Sequence, residues 1–104
     1  MRAGVVGLMR TLANEFAAHG ITVNNICPGF TPTDRLDDLA GMMAARSGTS
    51  PEEVFAGWKK LIPAGRLGKP EEFASVAAFL VSEPASYLNG ASLAVDGGTT
   101  RSLL

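Results

Sequence analysis

Between residues 2 and 19 the apolar side chains Val5, Leu8, Met9, Leu12 and Phe16 recur at helical spacing, with Arg10, Asn14 and Glu15 on other faces, until Gly20 stops the pattern. Gly4 and Gly7 cost helix propensity there, which points to another backbone packed close against this helix. The period then changes. Ile21, Thr22, Val23 and Ile26 make a short β-branched run bounded by Gly20 and Pro28-Gly29, the pattern of a strand buried on both faces. Pro28 fixes its own φ and donates no hydrogen bond, and Gly29 reaches backbone angles closed to other residues, so the chain is expected to leave the sheet abruptly there.

Helical spacing returns over residues 34–46, with Thr33 placed to cap it and Asp34, Asp37 and Asp38 read as first-turn charges rather than a metal site or an acid/base pair. Ser47-Gly48-Thr49 breaks the pattern. Ser50-Pro51-Glu52-Glu53 supplies an N-cap, a proline at the first helical position and the glutamate of a capping box, and Val54, Trp58 and Leu61 then share one face, with Phe55 and Ile62 beside it. After a loop over residues 63–69, Pro70-Glu71-Glu72 opens a helix whose buried stripe is Phe73, Val76, Ala77 and Leu80, and Pro84 prevents its extension. Leu88-Asn89-Gly90 turns into a second strand, residues 91–95, ended by Gly97-Gly98. Strand, helical insertion, helix, strand is a βαβ unit, which predicts two parallel strands joined by a right-handed crossover.

Composition narrows the classes of function. The chain has 104 residues, 46% hydrophobic and 18% charged, with a formal net charge of −1, which fits one small globular domain or part of a larger one. Without a Lys/Arg cluster it lacks the footprint of phosphate-backbone binding, so neither nucleic acid nor an anionic membrane is an expected partner. Cys27 is the single cysteine, which excludes an internal disulfide, and with no His/Cys cluster no metal site is expected; a reducing, cytoplasmic setting is the default. His19 at a helix end reads as a capping residue, and Arg66 and Asp96 as structural or solvated groups.

Taken in order, three segments carry a resemblance. Asn24-x-x-x-Pro28-Gly29-x-x-x-Thr33, then Pro63-Ala-Gly-Arg-Leu-Gly-Lys-Pro-Glu-Glu72, then Val95-Asp-Gly-Gly98 look like segments of the short-chain dehydrogenase/reductase family. The resemblance implies an α/β fold, the C-terminal part of a Rossmann-type doubly wound parallel sheet, and NAD(P)-dependent hydride transfer between a carbonyl and an alcohol, with loops most similar to 3-oxoacyl-carrier-protein reductases. It places Pro28, Gly29, Thr31 and Thr33 at the nicotinamide side of an NAD or NADP site: Gly29 would give the ring close access, and the Thr31 backbone and Thr33 hydroxyl would bond the carboxamide or a neighbouring phosphate. The N-cap role of Thr33 can coexist with this. Residues 34–62, with the apolar surface of Leu36, Leu39, Met42, Met43, Phe55 and Trp58, would be the mobile lobe over a small, partly apolar carbonyl or alcohol substrate, although for Trp58 and Leu61 packing on the core is the preferred reading.

The same resemblance implies what lies outside the motifs present. Arg2 stands where the family's Tyr-x-x-x-Lys motif has its lysine, which puts the tyrosine position three residues before Met1 and the catalytic serine and glycine-rich phosphate loop further upstream. Arginine offers a wide planar fork where lysine offers a compact charge that lowers the tyrosine's pKa. The chain is therefore read as a single partial domain over residues 1–104, inactive alone, and expected as a homo-oligomer or bound to a partner chain. The alternative is a noncatalytic remnant, or an interaction module using the family's dimer surface, to which the first helix contributes.

Overall fold

The computed structural model describes the backbone of residues 2–101 and the side chains of residues 4–101. Six main elements follow one another: α1 (Arg2–Phe16), β1 (Asn25–Pro28), α2 (Asp34–Ser47), α3 (Pro51–Leu61), α4 (Pro70–Leu80) and β2 (Ser92–Val95), with single 3₁₀ turns after α1 and α4. Local chemistry sets most of these boundaries. Gly20 ends the first helical stretch at φ +72° and Gly48 ends α2 at φ +70°, left-handed positions that favour glycine. The Thr33 hydroxyl accepts from the Leu36 N–H and the Ser50 hydroxyl from the Glu53 N–H, both at 3.3 Å. At α4 the cap comes from inside the helix, where the Glu72 carboxylate accepts from the Lys69 backbone N–H at 2.9 Å.

β1 and β2 pair in parallel, with Asn25 opposite Ser92 and Pro28 opposite Val95. The expected crossover unit is therefore present, but β1 begins four residues later than its β-branched run. Ahead of the ladder, where the Gly90 N–H still donates to the Val23 carbonyl at 2.9 Å, side chains supplement the backbone pairing. Asn24 accepts from the Ala91 N–H at 3.0 Å and donates to the Leu88 carbonyl at 3.1 Å. Asn89 reciprocates, accepting from the Val23 N–H at 2.9 Å and donating to the Ala13 carbonyl at 3.0 Å, so two asparagines clasp α1 and the entries of both strands together.

The core is thin. Among the described residues its buried apolar members are Val6, Met9 and Ala13 of α1, Ala40 and Ala44 of α2, Trp58, Ile62 and Ala85. This corrects the expected α1 stripe: Met9 is buried, whereas Val5 is 52% exposed, Leu8 61% and Phe16 40%, because α1 is apolar on two adjoining faces and only the Val6 face is covered. Gly4 and Gly7 have open space where a Cβ would sit, so among the described residues no backbone approaches them. Trp58 packs inward as expected and Leu61 does not. The radius of gyration is 16.8 Å, against about 13 Å for a compact domain of this size. The elongation, 55 × 26 × 23 Å, matches the thin core.

Candidate cofactor and substrate site

Because the two strands are parallel, their carboxyl ends lie together, and the turns leaving them face one another. The Gly29 N–H donates to the Val95 carbonyl at 3.2 Å, and a Cβ built on Gly29 would stand 2.6 Å from the Asp96 Cβ, so only glycine lets the two chains approach this closely. A third loop straps both ends. The Gly68 N–H donates to the Phe30 carbonyl at 2.9 Å, and the Ala64 N–H donates to the Gly97 carbonyl at 3.0 Å. Gly97 and Gly98, at φ +64° and +92°, lie against Ile62 and Pro63.

That loop is anchored by a bidentate ion pair. Arg66 Nη1 and Nη2 donate to the two Glu72 carboxylate oxygens at 2.7 and 2.8 Å, which realises the expected structural role of Arg66. The Arg66 guanidinium, followed by the Lys69 backbone N–H, lowers the Glu72 carboxyl to about 2. Asp96 is also structural. Its carboxylate accepts from the Gly98 and Thr100 N–H groups at 3.0 and 2.9 Å, and the Thr100 hydroxyl, followed by these backbone bonds, holds its carboxyl below the usual carboxylate range.

Between the turns lies an open depression of about 430 Å³ lined by Pro28, Gly29, Phe30, Leu36, Asp96, Thr99 and Thr100. Of the four residues expected at a cofactor, Pro28 and Gly29 line it. Thr31 and Thr33 do not: Thr31 lies against Gly68, and Thr33 stands at the head of α2 with its hydroxyl oxygen engaged by Leu36. The hydroxyl proton of Thr33 remains available to donate, so capping and ligand contact are compatible. Arg2 begins α1, but its side chain lies outside the described residues. Phe30, Asp96, Thr99 and Thr100 were missed as lining residues, though all flank the two strand ends, where a parallel sheet binds ligands, whereas Leu36 lines the depression as a residue of the expected substrate lobe.

Comparison with known proteins identifies the architecture. Residues 1–100 match the family model described as enoyl-(acyl carrier protein) reductase. The 3-oxoacyl-[acyl-carrier-protein] reductase FabG of Haemophilus influenzae is 43% identical over 97 residues, 93% of this chain and 36% of that protein. The chain belongs to the short-chain dehydrogenase/reductase family. A short-chain dehydrogenase family protein from Francisella tularensis superposes with a TM-score of 0.91 at 30% identity, covering 96% of this chain and 41% of its own. YwfH, an NADPH-dependent reductase involved in bacilysin biosynthesis, superposes at 0.88 with 34% identity over 97% of this chain and 38% of its own. The fold is accordingly part of a Rossmann-type dehydrogenase, and the chain spans about a third of the length of the curated relatives it matches.

Among the described residues no helix is long and apolar enough to cross a membrane, and no group of three or more His, Cys, Asp or Glu is placed to hold a metal ion.

Proposed function

We propose that this chain supplies the nicotinamide side of an NAD(P)-dependent carbonyl/alcohol oxidoreductase site of the cytoplasm. The observation that carries the reading is the depression at the carboxyl ends of both parallel strands, walled by the Pro28-Gly29 turn. Its size suits a small ligand, within the roughly 300–1,000 Å³ of typical ligand sites. Pro28 and Gly29 would receive the face of the nicotinamide of NAD or NADP, and Thr31 and Thr33 its carboxamide or a neighbouring phosphate. When bound, the nicotinamide carries the hydride.

The residues of this chain position and exclude water; they do not transfer the proton. Its single tyrosine, Tyr87, is fully exposed and is followed four residues later by Ala91, so it is not part of a Tyr-x-x-x-Lys pair. Arg2 stands at the lysine position. The isolated chain is therefore inactive, and the whole reaction needs a tyrosine and serine from elsewhere. NADH and NADPH oxidation with acetoacetyl and quinone substrates tests this: no turnover proportional to protein is expected, and turnover abolished by Thr33→Ala would overturn it.

One observation favours a second reading. The Val5, Leu8 and Phe16 face of α1 is exposed, as an interaction module using the family's dimer surface would require.

A further inference from the structure

The amino ends of the two strands, away from the depression, are held by a residue pair with a chemistry of its own. Gly90 sits at φ +75°, a left-handed position that favours glycine. It follows Asn89, the only asparagine of the chain that precedes a glycine. Asparagine is thermolabile, and most so in that order, because glycine carries no side chain to shield its backbone nitrogen from the amide before it. The turn thus needs the residue that makes its neighbour reactive. In the closed clasp both reacting groups are tied to Val23: its N–H donates to Asn89 Oδ1 at 2.9 Å, and its carbonyl accepts the Gly90 N–H, also at 2.9 Å. Asn89 Nδ2 is held as well, donating to the Ala13 carbonyl at 3.0 Å. Asn89 is exposed, so solvent reaches it once those bonds open.

We propose that Asn89 is a deamidation site gated by the clasp: the reaction proceeds when the clasp opens, and its product cannot close the clasp again. A solvent base removes the Gly90 N–H proton, and the nitrogen attacks Asn89 Cγ. The N–Cγ bond forms, the Cγ–Nδ2 bond breaks, and ammonia leaves with a proton from solvent, giving a succinimide that water then opens to aspartate or isoaspartate. While the Gly90 proton points at the Val23 carbonyl and the amide is bonded through both its oxygen and its nitrogen, neither group is free for this step. After it, aspartate places a carboxylate oxygen against the Ala13 carbonyl, acceptor against acceptor. Isoaspartate lengthens the main chain by a methylene between the Leu88 carbonyl, which accepts from Asn24, and the Gly90 N–H. Each opening therefore risks permanent loss of the clasp, and the modified fraction records how often the strand entries have separated.

The test incubates the full chain at mildly alkaline pH, in native buffer and in denaturing guanidinium, and follows the mass gain of deamidation in the tryptic segment 67–101, whose only side-chain amide is Asn89. The native chain should react about tenfold or more slowly than the denatured one, and its rate should rise with subdenaturing guanidinium in proportion to hydrogen exchange of the Gly90 amide, which reads the same opening. Asn24→Ala removes two bonds of the clasp without touching the Asn89-Gly90 pair, and should speed the native reaction about tenfold while leaving the denatured rate unchanged. Asn89→Asp, which reproduces one product, should exchange its Gly90 and Asn25 amides faster than the parent. Equal native and denatured rates, a native rate that ignores Gly90 exchange, a folded Asn24→Ala variant with the parent's native rate, or unchanged protection in Asn89→Asp would each overturn the inference. The guanidinium series needs no substitution, so it decides even where Asn24→Ala fails to fold.

Discussion

Gly29 and Asp96 approach so closely across the two strand ends that a methyl group on the glycine would stand 2.8 Å from the Asp96 Cα as well as 2.6 Å from its Cβ. Both atoms belong to, or hang directly on, a backbone that Gly98 and Thr100 fix in place. Gly29→Ala must therefore separate the turns, at an overpacking cost of about 1–3 kcal/mol, and open the depression. Gly41→Ala and Gly57→Ala meet nothing within 4 Å inside α2 and α3, and should each stabilise by about 0.5–1 kcal/mol. Urea denaturation of the three variants checks the contrast in sign.

The two roles of Thr33 separate by substitution. Aspartate caps a helix as well as threonine does but donates no proton when ionised. Thr33→Asp should keep the helix content and denaturation midpoint within about 0.5 kcal/mol of the parent, while weakening binding of reduced nicotinamide mononucleotide. Thr33→Ala should lose about 0.5–2 kcal/mol of stability in addition. Unaltered nucleotide binding by Thr33→Asp would leave the residue as a cap alone.

The Arg66–Glu72 pair makes a pH-dependent contribution whose sign is fixed. The Glu72 carboxyl is lowered from an ordinary value near 4.5 to about 2, so its stabilisation is fully present above the unfolded value and is lost as pH falls from about 4.5 through 2. Because both side chains are exposed, solvent screening keeps the amplitude small. Thermal unfolding of Glu72→Gln against the parent should differ at pH 6 and converge near pH 2, and the difference at pH 6 should shrink in high salt.

The uncovered faces predict association. Among the described residues β1 has β2 on one side only, and beside it lie two apolar depressions: one of about 220 Å³ with Val5, Leu8 and Leu12 of α1, and one of about 510 Å³ with Ala77 and Leu80 of α4. A two-stranded sheet with a bare edge is marginal alone and invites pairing. Sedimentation should show self-association or a partner requirement, and Leu8→Lys should weaken it; a concentration-independent monomer with cooperative unfolding would count against this.

Elements governed by local chemistry were legible in the sequence. Thr33, Ser50, Pro51, Gly20 and Gly48 act within one turn of their own position, so their types alone placed the helix ends. Ala91 to Val95 was read to within one residue of β2 because a turn and two glycines bracket it. What was illegible depends on distant partners. Val5 and Val6 are equally suited to burial, and only the position of the sheet and the Asn89 clasp decides which face of α1 is covered. Ile21 and Thr22 have strand chemistry but precede the ladder, because the partner segment turns at Asn89-Gly90 before it can pair with them. At the site, the Pro28-Gly29 turn was visible as punctuation. Phe30 was not, since nothing in its neighbourhood reports that Trp58, in another helix, lies beneath it.

The asparagine clasp also orders events in time. Its bonds join residues 64 to 76 positions apart, and the ladder that it introduces is equally non-local, so each closes a long loop before any strand pairing is gained. The α2–α3 pair needs only the three-residue connection 48–50, and its helices carry their own caps. Contacts of low sequence separation form first in chains of this kind. Refolding should therefore develop helical signal before the amides of Asn25 and Cys27 gain protection, and Asn24→Ala should slow the second phase while leaving the first unchanged.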